Sequence, residues 1–438
     1  MSLPIFSTVS VREEVRSDAP VGDIGAGADL RGLHARTERI AKAVLFALAL
    51  AIVMITAAAP GIGEGAAVAE GESRLGGDFP AFFAAGSIVL DGDIDDLYDA
   101  NRQALAQENL GIEGYLAFAY PPHVAAAYSP LSALGFRAAY ILHTFAMAAA
   151  LYTAVYMLGT FIPSARRWRW QILAGAFTFY PAITAVTGGQ NAALSVLTLS
   201  IVWWALRHDR EIIAGVAAGL LAFRPQYALP IIGLMLLSRH WRAVLAATVT
   251  MAATWAVTAI RLGTGWLPTW ADAVVPFVER DAEVNAANSI SILGFLQAVW
   301  SPEATPAVIV GAIGAAGVVV TLMWMWLRPG RFLLSDRIGA VAIGALLISP
   351  HTMFYDAALL LVAGAALLAR HDAGQMTIPV ARCLGLAWLL GWTQLFAAGL
   401  GATPLAIVVA ASFVAFVASA KPAASAKSLR VVGSLGHA

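Results

Sequence analysis

Three side chains in this sequence have the type and setting to do chemistry at a membrane surface: the carboxylate of Asp78, the guanidinium of Arg224 and the imidazole of His351. Asp78 stands in Gly76-Gly77-Asp78-Phe79-Pro80-Ala81-Phe82-Phe83-Ala84-Ala85-Gly86, ahead of an apolar, aromatic run with proline near its start. That pattern suits a helix N-cap with proline just inside the helix. It equally suits a general base held just outside the bilayer on an amphipathic interfacial helix. Arg224 lies in an Arg224-Pro225-Gln226 break between two apolar runs. A cation at membrane depth is costly enough to signal function, the alternatives being a structural salt bridge or a snorkelling side chain. His351 and Asp356 share the segment Ser349-Pro350-His351-Thr352-Met353-Phe354-Tyr355-Asp356. Their spacing places them only loosely on one helix face, which gives no joint metal site but lets both line one cavity. Gln190 and Asn191, in Thr187-Gly188-Gly189-Gln190-Asn191, either hydrogen-bond a polar ligand or only make a turn. Tyr120 and His123 belong to Phe118-Ala119-Tyr120-Pro121-Pro122-His123, where two prolines force an extended return to the membrane. The acidic stretch Asp91, Asp93, Asp95 and Asp96 reads as a turn followed by a cap, since it lacks the distal glutamate of a calcium loop.

The elements that must hold these groups are membrane helices. Of 438 residues, 59% are hydrophobic and 12% charged, against roughly 45–50% and 25% in ordinary globular chains. The 27 basic and 27 acidic residues balance, which removes any strongly basic face for nucleic acid. The single cysteine, Cys383, lies in an apolar run and excludes a disulfide framework or a thiolate metal cluster. Residues 1–38 read as a disordered cytoplasmic tail rather than a signal peptide, and 421–438 as a second cytoplasmic tail.

Between them, residues 39–420 form an all-α polytopic domain of about ten spans. The apolar run 41–60 follows Arg36, Arg39 and Lys42, so the chain emerges outside and a first outer loop covers 61–120. The runs 136–162, 171–186, 192–206, 243–260, 306–326, 338–348, 353–369, 380–398 and 404–418 follow. Clusters at Arg166, Arg167 and Arg169, at Arg207 and Arg210, at Arg239 and Arg242 and at Arg328, Arg331 and Arg337 all fall on the cytoplasmic side. The runs 212–223 and 227–237 are too short, at ~1.5 Å per residue, to cross ~30 Å of hydrocarbon. They predict a re-entrant hairpin with Arg224 at its tip. A second polar outer loop covers 261–291, where Arg261, Arg280, Asp281 and Glu283 are expected to solvate the chain and Trp266 and Trp270 to sit in the aromatic belt.

Taken in order, the Gly-Asp-Phe start at Asp78, the Asp-Leu-Tyr turn, Phe118-Ala119-Tyr120-Pro121-Pro122, Gly189-Gln190-Asn191, Arg224-Pro225 and Ser349-Pro350-His351 with Tyr355-Asp356 resemble glycosyltransferase family 87. The resemblance runs from about Asp78 to Asp356. It implies a fold of the GT-C superfamily and transfer of one sugar, with mannose expected, from a polyprenyl-phosphate donor to a glycolipid or glycan hydroxyl. It implies Asp78 as catalytic base. Arg224, His351, Gln190, His123, Tyr120 and Asp356 are then expected to bind the donor phosphate or the sugars, with no metal and no cofactor. The family commonly has Lys-Pro where this chain has Arg224-Pro225, which keeps the charge but replaces a point charge by a planar fork. The expected setting is the cell inner membrane, with both termini cytoplasmic and the site periplasmic.

A sugar phosphate leaves without a protonated acid once cations neutralise the released phosphate, so one base and one or two cations suffice. That set matches Asp78 with Arg224 and His351 better than the paired carboxylates of a glycosidase, and direct displacement inverts the anomeric centre. Two other classes share the pattern: a transporter or flippase of a lipid-linked sugar, which also breaks helices around charges, and a non-catalytic glycolipid-assembly subunit. The large first outer loop weighs against a rocking carrier.

Overall fold

The computed structural model of the protein describes residues 23–58, 77–110, 116–301, 303–375, 378–396 and 401–420. Among the described residues the architecture is all-α, and the isolated bridge between Ser289 and Met353 is its only extended pairing. Helix α1 (Asp23–Ala58) starts well before the apolar run. The disorder expected across 1–38 therefore gives way to helix from Asp23 onward. Glu38 lies 2.7 Å from Lys42 and 3.7 Å from His34, pairs one turn apart that support backward propagation of an existing helix. Residues 1–22, 59–76, 111–115 and 421–438 lie outside the described residues.

The described part of the first expected outer loop holds two helices, α2 (Phe79–Asp91) and α3 (Ala100–Glu108), and the return expected to be extended is so only up to Pro121, since α4 (Pro122–Ser132) starts at the second proline. Next come α5 (Phe136–Leu158), α6 (Pro163–Arg167), α7 (Arg169–Phe177), α8 (Tyr180–Thr187) and α9 (Ala192–Arg207). The apolar run 171–186, read above as one span, is two helices. Pro181 has no N–H to give a carbonyl one turn back, so α7 ends at Phe177 and α8 restarts with proline in its first turn. Helices α8 and α9 then meet at 108° across the 188–191 turn.

The re-entrant hairpin is present as α10 (Glu211–Leu220), a short 3₁₀ turn and α11 (Pro225–Leu237). Its two feet meet, because His240 Nδ1 lies 3.0 Å from Glu211 Oε1. Its tip is Arg224, where the backbone leaves the helical conformation, at φ −126° and ψ 79°, ahead of Pro225. Helix α12 (Trp241–Leu262) runs beside it. The second expected loop is mostly a helix, α13 (Trp266–Val284), with no fully buried side chain. The bundle closes with α14 (Ile292–Val299), α15 (Thr305–Trp326), α16 (Leu334–Ile348), α17 (Leu360–Asp372), α18 (Ile378–Gly391) and α19 (Pro404–Ala418).

Among the described residues four helices are individually long and apolar enough to cross a membrane, or five if the bent α8–α9 pair is one span. The count of about ten crossings thus rests on shorter and broken helices as well. A large apolar core joins α5, α9, α10, α16, α17 and α19. At its arginine-rich end Arg370 Nε donates to Asp336 Oδ1 at 2.5 Å and Nη2 to Phe416 O at 3.0 Å, which pins α16, α17 and α19. A second, smaller core is built from α2, α4 and the start of α5 around Phe79, Phe82, Phe83, Tyr128 and Tyr140. Each fully buried phenylalanine there contributes ~1.5–3 kcal/mol. That satellite core fixes the start of α2, and with it Asp78.

Candidate active site

Asp78 is brought to the α8–α9 turn by two backbones in close approach. Gly77 sits at φ +48°, and a Cβ there would run into the Gly188 carbonyl. Only glycine tolerates both the left-handed conformation and that contact. The Asp78 amide then donates to Gly188 O at 3.1 Å, and Tyr140 Oη donates to Thr187 O at 2.5 Å from the other side. Asp78 occupies the N-cap position of α2, yet its side chain makes no capping hydrogen bond. The carboxylate instead accepts from Gln190 Nε2. It is half-buried. Burial pushes its pKa above the ordinary carboxylate range, while the Gln190 hydrogen bond and the nearby His351 charge hold it down.

Gln190 also faces the hairpin tip. Arg224 Nη2 lies 3.5 Å from Gln190 Oε1 and donates to Tyr120 Oη at 3.2 Å, Nε donates to Asn191 Oδ1 at 2.7 Å, and Nη1 pairs with Asp356 Oδ1. Asp356 takes the Met353 amide on its other oxygen at 3.1 Å. Arg224, Gln190, Asn191 and Asp356 are each 2% exposed. Arg224 is thus ion-paired, and its fork ties the turn at 190–191, the α4 approach and the segment before α17 into one network. The salt bridge that sequence left as an alternative is present. Its long contacts are on the Nη2 edge, toward Tyr120 and Gln190.

His351 sits beside this network, held by a residue that sequence placed in a solvating role. Its Nδ1 lies 2.6 Å from Asp281 Oδ2 of α13, and Phe277 packs edge-on against the ring at 5.2 Å. Burial works against the imidazolium, but the Asp281 hydrogen bond and charge outweigh it and hold the pKa above the ordinary histidine value. With Nδ1 engaged by Asp281, Nε2–H of the charged ring is the second donor. Trp270 Nε1 donates to Ala119 O at 3.0 Å, so α13 is docked at both ends of the site rather than only lying in an aromatic belt.

The structure therefore joins Asp78, Gln190, Tyr120, Arg224 and Asp356 through direct contacts and places His351 within electrostatic reach of Asp78. Among the described residues no hydrogen bond of this cluster involves His123, which lies half-buried in the first turn of α4 with its pKa lowered by burial to about 4. Asp91 and Asp93 both converge on Arg102 at 2.9 Å beside the left-handed Gly92 that ends α2, which is the turn role expected of them. Asn191 and Asp281 complete the site. Asn191 was legible as half of the Gly-Gln-Asn turn, whereas nothing in the local sequence distinguishes Asp281 from the other charges of α13.

Comparison with curated protein sequences finds none that matches. The profile of glycosyltransferase family 87 matches residues 118–350. That match takes in Tyr120, His123, Gln190, Asn191, Arg224 and Asp281, begins after Asp78 and reaches the residue before His351. It covers over half of a chain folded as an all-α membrane bundle, and the chain belongs to glycosyltransferase family 87.

Proposed function

We propose that this membrane glycosyltransferase moves a sugar, mannose in the first instance, from a polyprenyl-phosphate donor to a hydroxyl of a glycolipid or glycan on the periplasmic face, with inversion. The single observation that carries the reading is the state of Asp78. It is a carboxylate at a helix start that is not used for capping, raised in pKa by burial, and aimed by Gln190 into a polar cluster.

In this reading the acceptor oxygen attacks the anomeric carbon while its proton passes to Asp78. The bond from the anomeric carbon to the phosphate oxygen breaks, and its electron pair leaves with the polyprenyl phosphate. His351, charged through Asp281, offers Nε2–H to the departing oxygens. The Nη2 edge of Arg224, with Tyr120 Oη, is where a phosphate oxygen would replace long contacts by shorter, charge-assisted ones. Asp356 and Asn191 hold the guanidinium in place for that contact. His123 is given no task in the transfer step.

The test is incubation of membranes containing the protein with labelled polyprenyl-phosphate mannose. Label appearing in a new extractable glycolipid or glycan, with release of polyprenyl phosphate, is the expected result. Label that becomes protected without a new glycosidic bond would make the protein a carrier and refute the proposal.

A further inference from the structure

Beside the His351–Asp281 pair, a cavity of about 140 Å³ opens between α13, α14 and the 350–353 turn. Asp78 and Arg224 do not line it. Its polar lining comes from Glu279, Asp281, Asn285, Ser289, Gln297 and His351. Carboxylates accept hydrogen bonds from hydroxyls and amides both donate and accept, while Val278, Leu293 and Met353 line the rest, so the set suits a ligand that carries hydroxyls around an apolar ring face. The charge decides which one. Glu279 and Asp281 stand against the one imidazolium of His351, which Asp281 already engages at 2.6 Å. The two carboxylates outnumber the imidazolium, so apart from the one charged donor at His351 Nε2 the cavity repels a phosphate by like charge. An uncharged sugar ring would not.

We infer that this cavity is the acceptor subsite, holding one neutral pyranose of the acceptor through its hydroxyls while the reacting hydroxyl is presented past His351 toward Asp78. The inference rests on the transferase reading above and adds to it where the acceptor lies and what chemistry selects it. Helix α13 supplies three of the polar groups, Asp281 and Asn285 one turn apart on one face and Glu279 from its flank. The partly exposed helix that sequence read as solvated loop thus becomes the wall of a binding site. Asn285 Nδ2 donates to Asp281 Oδ1 at 2.8 Å, so the carboxylate that charges His351 is itself held in place by the cavity wall.

The experiment titrates methyl α-D-mannopyranoside, methyl α-D-glucopyranoside and methyl α-D-galactopyranoside into the purified full-length protein and reads ligand-dependent thermal stabilisation. At least one glycoside is expected to raise the melting temperature in a saturable way that inorganic phosphate does not compete away. Ala282→Phe, which fills the cavity from α13 without removing a polar group, and Asn285→Ala, which removes one, should each weaken that binding by about fivefold or more. Both are scored only with sugar-free melting temperatures matching the wild type, and Gln297→Ala on α14 serves as a further variant on a different helix. Asp78→Asn should bind the glycoside as the wild type does, so turnover by that variant would refute the proposed base and leave the subsite standing. Absence of binding by all three glycosides, equal binding by Ala282→Phe and Asn285→Ala, or competition by phosphate overturns the inference.

Discussion

Replacing Arg224 by glutamine tests whether the hairpin tip is held as the geometry requires. Both side chains of the Arg224–Asp356 pair are 3% exposed. Glutamine in place of arginine leaves the Asp356 carboxylate buried with the neutral Met353 amide at 3.1 Å as a donor. Breaking a buried pair from one side costs about 3–5 kcal/mol, because the remaining charge is uncompensated. Asp356→Asn strands the guanidinium and falls in the same range, though Asn191 at 2.7 Å softens it. The double variant Arg224→Gln/Asp356→Asn restores neutrality and keeps two amides able to bond, so it should lie within about 1–2 kcal/mol of wild type. The coupling in that cycle should therefore be about 4 kcal/mol or more in magnitude, above the usual range for touching residues because each single variant strands a buried charge. Equilibrium unfolding of the full-length protein in mixed micelles measures it. Arg224→Gln within about 1 kcal/mol of wild type, the value of an exposed pair, would refute the reasoning. The double variant should also remain deficient at limiting donor, since the Nη2 edge is gone while the fold is kept.

Other consequences follow from the same contacts. In the proposed mechanism transfer needs Asp78 deprotonated and His351 protonated, so kcat/KM against pH should be bell-shaped. Its rising limb should lie above the ordinary carboxylate range, because burial raises Asp78, and its falling limb above the ordinary histidine value, because Asp281 outweighs burial at His351. Gln190→Leu removes the hydrogen bond that stabilises the Asp78 carboxylate and should move the rising limb to higher pH; an unmoved limb would sever Gln190 from the base. Asp91→Asn and Asp93→Asn should leave transfer within about twofold and cost ~1 kcal/mol or less, since both carboxylates are half exposed around Arg102. Loss of transfer in either would show that the acidic stretch does chemistry. Reporters fused after Gly111 or within 272–285 should read as outside, and those after Arg167, His208 and Arg331 as inside; a cytoplasmic reading at Gly111 would remove Asp78 from the periplasmic face.

The sequence carried what depends on local pattern. Apolar run length marked α5, α12 and α15 to within a few residues, and the Arg224-Pro225 break marked the hairpin tip, because proline and a buried charge each leave a local signature. The split at Phe177 was signalled by Pro181 but obscured by continuous hydrophobicity on both sides. Helix α13 was hidden by its surface position, where charges that read as solvation alternate with residues facing the bundle. What no local pattern could supply was pairing over long separations. Asp356 lies 132 residues from Arg224, Gln190 lies 112 from Asp78 and Asp281 lies 70 from His351. The salt bridge of Arg224 could therefore be read from sequence only as an alternative without a named partner, and the partner of His351 not at all.

The central claim is that Asp78 takes the acceptor proton, and the most direct measurement is sugar transfer by purified, membrane-inserted Asp78→Asn protein with a lipid-linked donor. Asparagine keeps the size of the side chain, and because the carboxylate caps nothing, α2 and the satellite core beneath it should persist with an unchanged melting temperature. Transfer is expected to fall at least ~10²-fold while donor binding is retained, the loss associated with removing a general base. Near-normal turnover by that folded variant would contradict the account and move the base to another residue.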